Sequence, residues 1–124
     1  MALVDILIQG GWLKTPRIIE AFYKIKRKDF LPEEMKDLAE LNEALPIGFG
    51  QTISQPLVVA FMLELLQPQE GEKILDIGSG SGWTSALLAH IVSGGELKSK
   101  TELPFMEAKV KKRTKSSSPF KLLL

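Results

Sequence analysis

The feature that most constrains this chain is a short apolar segment followed directly by a run rich in glycine. Residues 73–77 are mostly apolar and are bounded by turn-forming residues, which favours a buried strand of a parallel sheet. The run that follows is Gly78-Ser79-Gly80-Ser81-Gly82. Residues 83–92 then show helical spacing, with three side chains predicted to face inward: Leu87, Leu88 and Ile91. A strand, a glycine loop and a helix form the first unit of a Rossmann-like α/β fold.

The glycine loop predicts a ligand site. Because glycine has no Cβ, the backbone can pass close to a ligand, and the N–H groups that begin the next helix can bind a negative or polar group. A dinucleotide site requires Gly-x-Gly-x-x-Gly, but Gly82 comes one position early and Trp83 occupies the required place. Asp76, at the end of the strand, is suited to order the loop through hydrogen bonds. A glycine-rich turn that binds nothing is the alternative.

Three helices are predicted before this unit. They cover residues 2–9, a segment that begins at Pro16 after a capping hydroxyl on Thr15, and residues 56–67. In the first two helices, the apolar positions predicted to face the core are Leu3, Ile6, Leu7, Ile18, Ile19, Phe22 and Ile25. Residues 45–55 are rich in glycine and proline and are predicted to form a loop.

A cluster of positive charge follows the second helix: Lys24, Lys26, Arg27 and Lys28. No aromatic residues are interleaved with these charges to stack on bases, so they are interpreted as a solvated face and not as a nucleic-acid surface. His90 is the only histidine of the chain and has no candidate partner nearby in sequence, which favours a structural position over a catalytic one. Trp83 is likewise predicted to pack and not to stack on a cofactor.

Composition narrows the possible functions. The 124 residues include no cysteine, which excludes disulfides, a thiol nucleophile and thiolate metal ligands, and no metal site is predicted. The net charge of +1 does not indicate a nucleic-acid or membrane partner. The longest apolar run, residues 57–63, is far shorter than the roughly 20 residues that span a bilayer. No basic run precedes an apolar segment at the N-terminus, so the predicted compartment is the cytoplasm.

Two motifs carry a resemblance to a known family. Residues 74–83, Ile-Leu-Asp-Ile-Gly-Ser-Gly-Ser-Gly-Trp, resemble the first motif of class I S-adenosylmethionine-dependent methyltransferases. Residues 45–56, Leu-Pro-Ile-Gly-Phe-Gly-Gln-Thr-Ile-Ser-Gln-Pro, closely resemble the signature loop of the protein-L-isoaspartate O-methyltransferases. Residues 15–22 and 27–32 are similar to the N-terminal helices of that family, and the resemblance covers about residues 3–95. Phe49 is a small departure, since many bacterial relatives carry histidine there.

The resemblance implies an enzyme of protein repair. Its cofactor would be S-adenosyl-L-methionine, and its substrates would be damaged proteins or peptides that contain isoaspartyl residues. The methyl group would pass to the free carboxylate of the isoaspartyl residue, and the ester would cyclise to a succinimide that can reopen to aspartate. Ser54 matches the active-site serine of the family. The positions implied to bind the cofactor are Gln51, Thr52, Ile53, Ser54, Asp76, Gly78, Ser79, Gly80, Ser81 and Gly82. From spacing alone, Ser54 could equally be a helix cap ahead of Pro56.

The charge distribution predicts a boundary near Gly94-Gly95. Residues 1–95 hold 8 Lys/Arg and 12 Asp/Glu, whereas residues 96–124 hold 8 and 3. We therefore predict an N-terminal helical segment (1–72) with the substrate loop (45–56), the start of the cofactor domain (73–95), and a basic, divergent tail (96–124). The fold class is α/β: N-terminal helices followed by the first β-loop-α unit of a Rossmann-like methyltransferase fold.

The resemblance weakens in the tail. The second strand of the family is expected near residues 96–101, where only Leu97 is apolar, and Thr101 stands where an acidic residue is expected to bind the cofactor ribose. We expect a truncated or frameshifted reading frame, with a natural short variant as the alternative. A strand without partners would leave backbone groups unpaired, so we expect little methyl transfer and self-association through an incomplete sheet. The alternative functions are a non-catalytic fragment of that enzyme and, less favoured, a nicotinamide-dependent oxidoreductase.

Overall fold

The structure is a computed structural model that describes residues 2–48, 50–77 and 80–93, together with the backbone of two short strands at 96–100 and 121–123. These described residues include four α-helices: α1 (Leu3–Gln9), α2 (Pro16–Lys24), α3 (Pro56–Leu66) and α4 (Trp83–Ile91). They confirm the predicted helices to within about two residues. Two 3₁₀ helices lie between α2 and the hairpin, at Arg27–Phe30 and Glu33–Leu38. Within the described part of the chain, no helix has the length and apolar character needed to cross a membrane.

Residues 45–55 form a β-hairpin, so the prediction of a loop there is wrong. Strands β1 (Leu45–Gly48) and β2 (Gln51–Ile53) pair in antiparallel register, with Leu45 opposite Ile53. Both of these side chains are buried, which anchors the hairpin to the core. Gly48 and Gly50 have φ values of 96° and 68°, a region that side chains disfavour, and this allows the tight turn. The glycine and proline content concealed two strands too short to show alternation.

The predicted strand at 73–77 is confirmed as β3 (Lys73–Ile77), and it lies at the centre of a parallel sheet. Its neighbours are β4 (Glu96–Lys100) on one side and β5 (Lys121–Leu123) on the other. The expectation that β3 has no partners is therefore wrong. A ladder is made by backbone N–H and C=O groups, so a segment of mostly polar residues can still pair with an apolar strand.

The core lies where α2 packs against α4. Ile18 and Ala21 are fully buried, and the ring of Phe22 meets that of Trp83 edge to face, with 5.8 Å between ring centroids. The three positions of α4 predicted to face inward are all buried. On α1 the prediction is correct for Leu3 and Leu7 but wrong for Ile6, which is 48% exposed. Leu3 and Leu7 are one turn apart, and Ile6 lies at the edge of the stripe that they form.

A polar network joins the start of α2 to α3. The Thr15 hydroxyl donates to Glu64 Oε1 at 2.6 Å, and the backbone N–H groups of Lys14 and Thr15 donate to Glu64 Oε2 at 2.7 and 2.8 Å. The prediction that this hydroxyl caps its own helix is wrong, because it bonds across to α3. Gln67, which ends α3 in the left-handed region, donates to Thr15 Oγ1 and to the Glu64 carbonyl. Arg17 completes the network by donating to the Pro68 carbonyl at 2.6 Å.

This network predicts a stability that depends on pH through Glu64. Burial raises the pKa of Glu64, but hydrogen bonds from Thr15, Lys14 and Gln67 outweigh burial and leave the pKa below its ordinary value. The carboxylate therefore stabilises the fold above its unfolded pKa of about 4.3, and this contribution is lost as the pH falls through the lower folded value. Glu64→Gln should cost about 1–3 kcal/mol at pH 7, since two backbone donors lose a charged acceptor.

Urea unfolding between pH 2.5 and about pH 7 measures the difference between the free energies of unfolding of the wild type and of Glu64→Gln. The difference should shrink as the pH falls. The exposed Glu70→Gln controls for the loss of one carboxylate. A cost for Glu64→Gln that stays constant across this range would show that the carboxylate charge does not stabilise the junction of α2 and α3.

Candidate active site

The glycine loop leads from β3 into α4. Gly80 and Gly82 have φ values of 51° and 88°, and Gly82 is the residue that caps α4. The Ser81 hydroxyl accepts a hydrogen bond from the N–H of Trp83 at 3.2 Å. A Cβ added at Gly82 would meet Phe30 only at an ordinary contact distance of 4.0 Å, so backbone conformation and not space requires glycine here. Two further predicted positions, Gly78 and Ser79, lie outside the described residues.

Asp76 is buried at the carboxyl end of β3, with 2% of its surface exposed. Its Oδ2 accepts a hydrogen bond from Ser85 Oγ at 2.8 Å, which joins the end of β3 to the first turn of α4. Burial raises the pKa of Asp76, and the hydrogen bond from Ser85 lowers it; burial outweighs the hydrogen bond. The carboxyl group therefore connects β3 to α4, the two elements on either side of the glycine loop.

The hairpin presents its predicted site residues in different ways. Thr52 and Ser54 are exposed, Gln51 is half-buried, and the side chain of Ile53 is buried in the core. Ile53 can therefore meet a ligand only through its backbone. Ser54 lies directly after β2, and its hydroxyl forms no hydrogen bond with the described residues.

The alternative interpretation of Ser54 as a helix cap is wrong. Gln55 is the residue directly before α3, and its side chain makes no capping hydrogen bond to the helix. The exposed N–H of the first turn, on Leu57, instead donates to Asn42 Oδ1 at 2.9 Å, and Gln55 Nε2 donates to the Asn42 carbonyl at 3.1 Å. Asn42 therefore caps α3 from a segment 15 residues earlier in the chain. The sequence contained no signal for this contact, because it depends on how the chain between α2 and β1 folds back.

Arg27 is buried, with 5% of its surface exposed, so the prediction of a solvated basic face is wrong at this position. Its guanidinium donates four hydrogen bonds to backbone carbonyls: Ala39 at 3.1 Å, Leu41 at 3.0 Å, Glu43 at 2.6 Å and Ser54 at 3.0 Å. Its Cζ lies 5.4 Å from the centroid of the Trp83 ring. A guanidinium has five N–H donors in a planar fork and can bind four carbonyls at once, whereas a lysine ammonium has only three donors.

The two motifs of the resemblance meet at the 3₁₀ helix Arg27–Phe30. Arg27 binds the carbonyl of Ser54 and stacks on Trp83, the first residue of α4. At the other end of this 3₁₀ helix, Phe30 lies beside Gly82. The serine loop and the glycine loop, separated by more than twenty residues in sequence, are thereby held by one short element. Sequence reasoning missed the role of Arg27, because a single arginine among three lysines carries no periodic signal.

The remaining predictions for this region concern His90, Trp83 and Thr101. His90 is partly exposed on α4, with Nε2 3.3 Å from Glu20 Oε1, and Trp83 is packed in the core; both confirm a structural position. Thr101 lies outside the described residues. In the described part of the chain, no three His, Asp or Glu side chains are grouped so that they could hold a metal ion.

Comparison with known proteins shows the class to which this fold and site belong. The profile of the family described as Protein-L-isoaspartate(D-aspartate) O-methyltransferase matches residues 1–116. A protein-L-isoaspartate O-methyltransferase from Aeropyrum pernix is 47% identical over 95 residues, which are 77% of this chain and 36% of that protein. Protein-L-isoaspartate O-methyltransferase 2 from Anaeromyxobacter sp. is 52% identical over 89 residues, which are 72% of this chain and 37% of that protein.

Solved structures agree on the fold. A Plasmodium falciparum protein described as a protein-L-isoaspartate O-methyltransferase, in complex with S-adenosyl-L-homocysteine, superposes with a TM-score of 0.72 at 20% identity. The match covers 82% of this chain and 48% of that one. A second protein-L-isoaspartate O-methyltransferase structure gives a TM-score of 0.69 at 28% identity, covering 78% of this chain and 32% of that one.

The chain belongs to the protein-L-isoaspartate O-methyltransferase family. Its fold is that of the Rossmann-like methyltransferases. It spans less than half the length of the curated relatives that it matches. The family profile continues beyond the predicted boundary near Gly94-Gly95, to residue 116, whereas the pairwise match to the Aeropyrum relative covers 95 residues.

Asp76 predicts a pH dependence of the opposite sign to that of Glu64. The pKa of Asp76 is raised in the folded protein, so folding favours the protonated carboxyl group. The stability that this group contributes is fully present below its unfolded pKa and is lost as the pH rises through its folded pKa. Asp76→Asn keeps an acceptor for Ser85 without the buried charge. Its free energy of unfolding should therefore exceed that of the wild type increasingly as the pH rises from about 4, the ordinary value for aspartate, to neutrality.

Chemical unfolding of both proteins across this pH range tests the sign. The exposed Asp37→Asn serves as the matched control for loss of a carboxylate. An Asp76→Asn protein that becomes less stable than the wild type as the pH rises would mean that the buried carboxylate is held by strong donors. The inference that burial dominates its ionisation would then be wrong.

Proposed function

We propose that this chain supplies the serine loop and the cofactor loop of an enzyme that methylates isoaspartyl residues in damaged proteins, with S-adenosyl-L-methionine as the methyl donor. The observation that carries the proposal is the juxtaposition of the two motifs. Ser54 and the start of α4 are both bound by Arg27, so the exposed serine hydroxyl and the glycine loop belong to one site. The family match over residues 1–116 supports the same function.

The residues present fit the proposed cofactor. Gly80 and Gly82 allow close approach to the backbone, and α4 directs its first N–H groups toward the loop. Asp76, through Ser85, holds the strand and the helix on either side of the loop. The structure of the Plasmodium protein in complex with S-adenosyl-L-homocysteine adds support from a relative of the same fold. When bound, S-adenosyl-L-methionine supplies an electrophilic methyl group.

The chemistry asks little of the side chains beyond positioning. A free α-carboxylate has a pKa of about 3.5, so it is ionised at neutral pH and needs no general base. Ser54 can orient that carboxylate by donating a hydrogen bond from its exposed hydroxyl. Correct positioning of reacting groups can contribute roughly 7–11 kcal/mol to catalysis.

The other functions remain alternatives with distinct signatures. A non-catalytic fragment would keep the loops but fail to turn over, and it would self-associate through the edges of its sheet. A nicotinamide-dependent oxidoreductase is disfavoured, because Trp83 occupies the position of the third dinucleotide glycine and is packed in the core. The cytoplasmic compartment and the division at residues 72 and 95 stay predictions. Isoaspartyl proteins are the proposed substrates.

The first experiment compares ligands. Titration calorimetry of the chain with S-adenosyl-L-homocysteine and with NAD should show tighter binding of S-adenosyl-L-homocysteine, because the loop lacks the glycine spacing that seats a pyrophosphate. Gly82→Ala should weaken that binding, since φ of 88° strains any residue with a Cβ. Tighter binding of NAD would overturn the methyltransferase proposal.

The second experiment tests Ser54. Residues 1–95 can be joined to the C-terminal part of the Anaeromyxobacter relative, which is 52% identical over 89 residues, and assayed on an isoaspartyl peptide. Ser54→Ala should lower kcat by about tenfold or more, with a much smaller change in cofactor affinity, because a hydroxyl that orients the nucleophile acts mostly in the transition state.

The matched control is Ser93→Ala, which removes an exposed hydroxyl just beyond α4. It should leave kcat unchanged. If Ser54→Ala retains full turnover while the parent chimera is active, Ser54 does not orient the substrate.

A further inference from the structure

We infer that Arg27 is a positioning residue, which fixes the backbone of the Ser54 loop and couples it, through Trp83, to the glycine loop. This inference rests on the proposed function, in which Ser54 and the glycine loop form one site. Arg27 itself contacts backbone and the indole ring, so it acts on a substrate only through other residues.

The guanidinium of Arg27 makes four hydrogen bonds. Nη1 donates to the Ala39 and Leu41 carbonyls, and Nη2 donates to those of Glu43 and Ser54. The first three carbonyls lie in the segment that leads into β1, and the fourth lies at the exit of β2. Arg27 therefore binds both ends of the hairpin. Ser54 offers its carbonyl to the interior while its side chain remains exposed, so this bond sets the orientation of the residue.

The charge of Arg27 is buried without an acidic salt-bridge partner among the described residues. Burial lowers the pKa of Arg27 and nearby Glu40 raises it, yet in the described part of the chain no carboxylate forms a salt bridge with the guanidinium. Two buried nitrogens, Arg27 Nε and Trp83 Nε1, have no hydrogen-bond partner among the described residues. A buried charge held only by carbonyl dipoles and a ring face is costly for a fold. A residue needed only to fill space would be better apolar.

Trp83 links Arg27 to the glycine loop. The guanidinium lies over the face of Trp83, and cation–π contacts of this kind are strongest when they are desolvated. Trp83 begins α4, directly after Gly82, and its ring is fixed edge to face against Phe22. A ligand that orders the glycine loop and the start of α4 therefore also favours one position of Arg27. The same position of Arg27 holds the Ser54 carbonyl.

Hydrogen exchange of the chain, followed by mass spectrometry, tests this coupling. The variants are Arg27→Lys, which keeps the charge but not the planar fork, and Arg27→Ala, with Lys28→Met as the matched control on an exposed neighbour. Amides of residues 51–57 should exchange about tenfold to a hundredfold faster in both Arg27 variants, as expected for the loss of charge-assisted hydrogen bonds. Lys28→Met should exchange like the wild type.

Addition of S-adenosyl-L-homocysteine gives the readout that a purely structural role would not move. In the wild type, the ligand should slow exchange of residues 51–57 as well as of the glycine loop. In Arg27→Lys, the ligand should protect the glycine loop alone. Guanidinium ion at a low, non-denaturing concentration should restore protection of residues 51–57 in Arg27→Ala, whereas sodium ion at the same concentration should not.

The outcomes separate the inference from the proposed function. If the wild type does not bind S-adenosyl-L-homocysteine, the proposed function fails for this chain, and the comparison without ligand still decides whether Arg27 orders the loop. Unchanged exchange of residues 51–57 in Arg27→Lys, or faster exchange spread evenly over the chain, overturns the inference. Persistence of ligand protection of residues 51–57 in Arg27→Lys also overturns it.

If both Arg27 variants fail to fold, Trp83→Phe carries the test. Phenylalanine keeps a ring against Phe22 but gives a weaker cation–π partner. Ligand protection of residues 51–57 should then be reduced while α4 remains folded. Full protection in Trp83→Phe would show that the coupling does not pass through the contact between Arg27 and Trp83.

Discussion

The constraint on which the candidate site depends is the buried guanidinium of Arg27. The Arg27 side chain joins the segment before the hairpin, the loop that follows it and the start of α4, by four hydrogen bonds and one ring contact. Without that charge, the hairpin would be attached to the core mainly by Leu45 and Ile53. Polar convergence at one point is an effective way to orient a loop, because hydrogen bonds are directional and apolar contacts are not.

Around Arg27, apolar contacts form the core and polar contacts join the ends of the helices and strands. The apolar packing of α2 against α4 lies within a core that also includes buried residues of α1, α3 and the strands β1, β2 and β3. Polar groups then fix the joints: Glu64 ties α2 to α3, Asn42 caps α3, and Asp76 ties β3 to α4. Each joint lies where one element ends and its backbone groups need partners. The candidate site sits between such joints, on loops carried by rigid elements.

The local sequence pattern was sufficient to predict an element that is long or that has clear boundary residues. Helices α2, α3 and α4 were predictable because proline or glycine marks their starts and apolar residues recur at helical spacing. Strand β3 was predictable because it is apolar and bounded by turns. The hairpin strands and β5 were not, since three or four residues cannot display a period. Strand β4 lies where the resemblance implied the second strand of the family, and β5 is fixed by pairing with β3, which is distant in sequence.

The sequence by itself determined the family, because the glycine loop and the serine loop are contiguous motifs that can be recognised without knowledge of the fold. It also determined the core faces of α2 and α4, because helical spacing records burial. Only the tertiary structure decided which polar residues hold the site. Arg27, Asn42 and Glu64 look like surface residues in sequence, and most of their hydrogen-bond partners lie 12 to 50 residues away. Whether a charge is solvated or buried depends on what folds over it, and no local pattern encodes that.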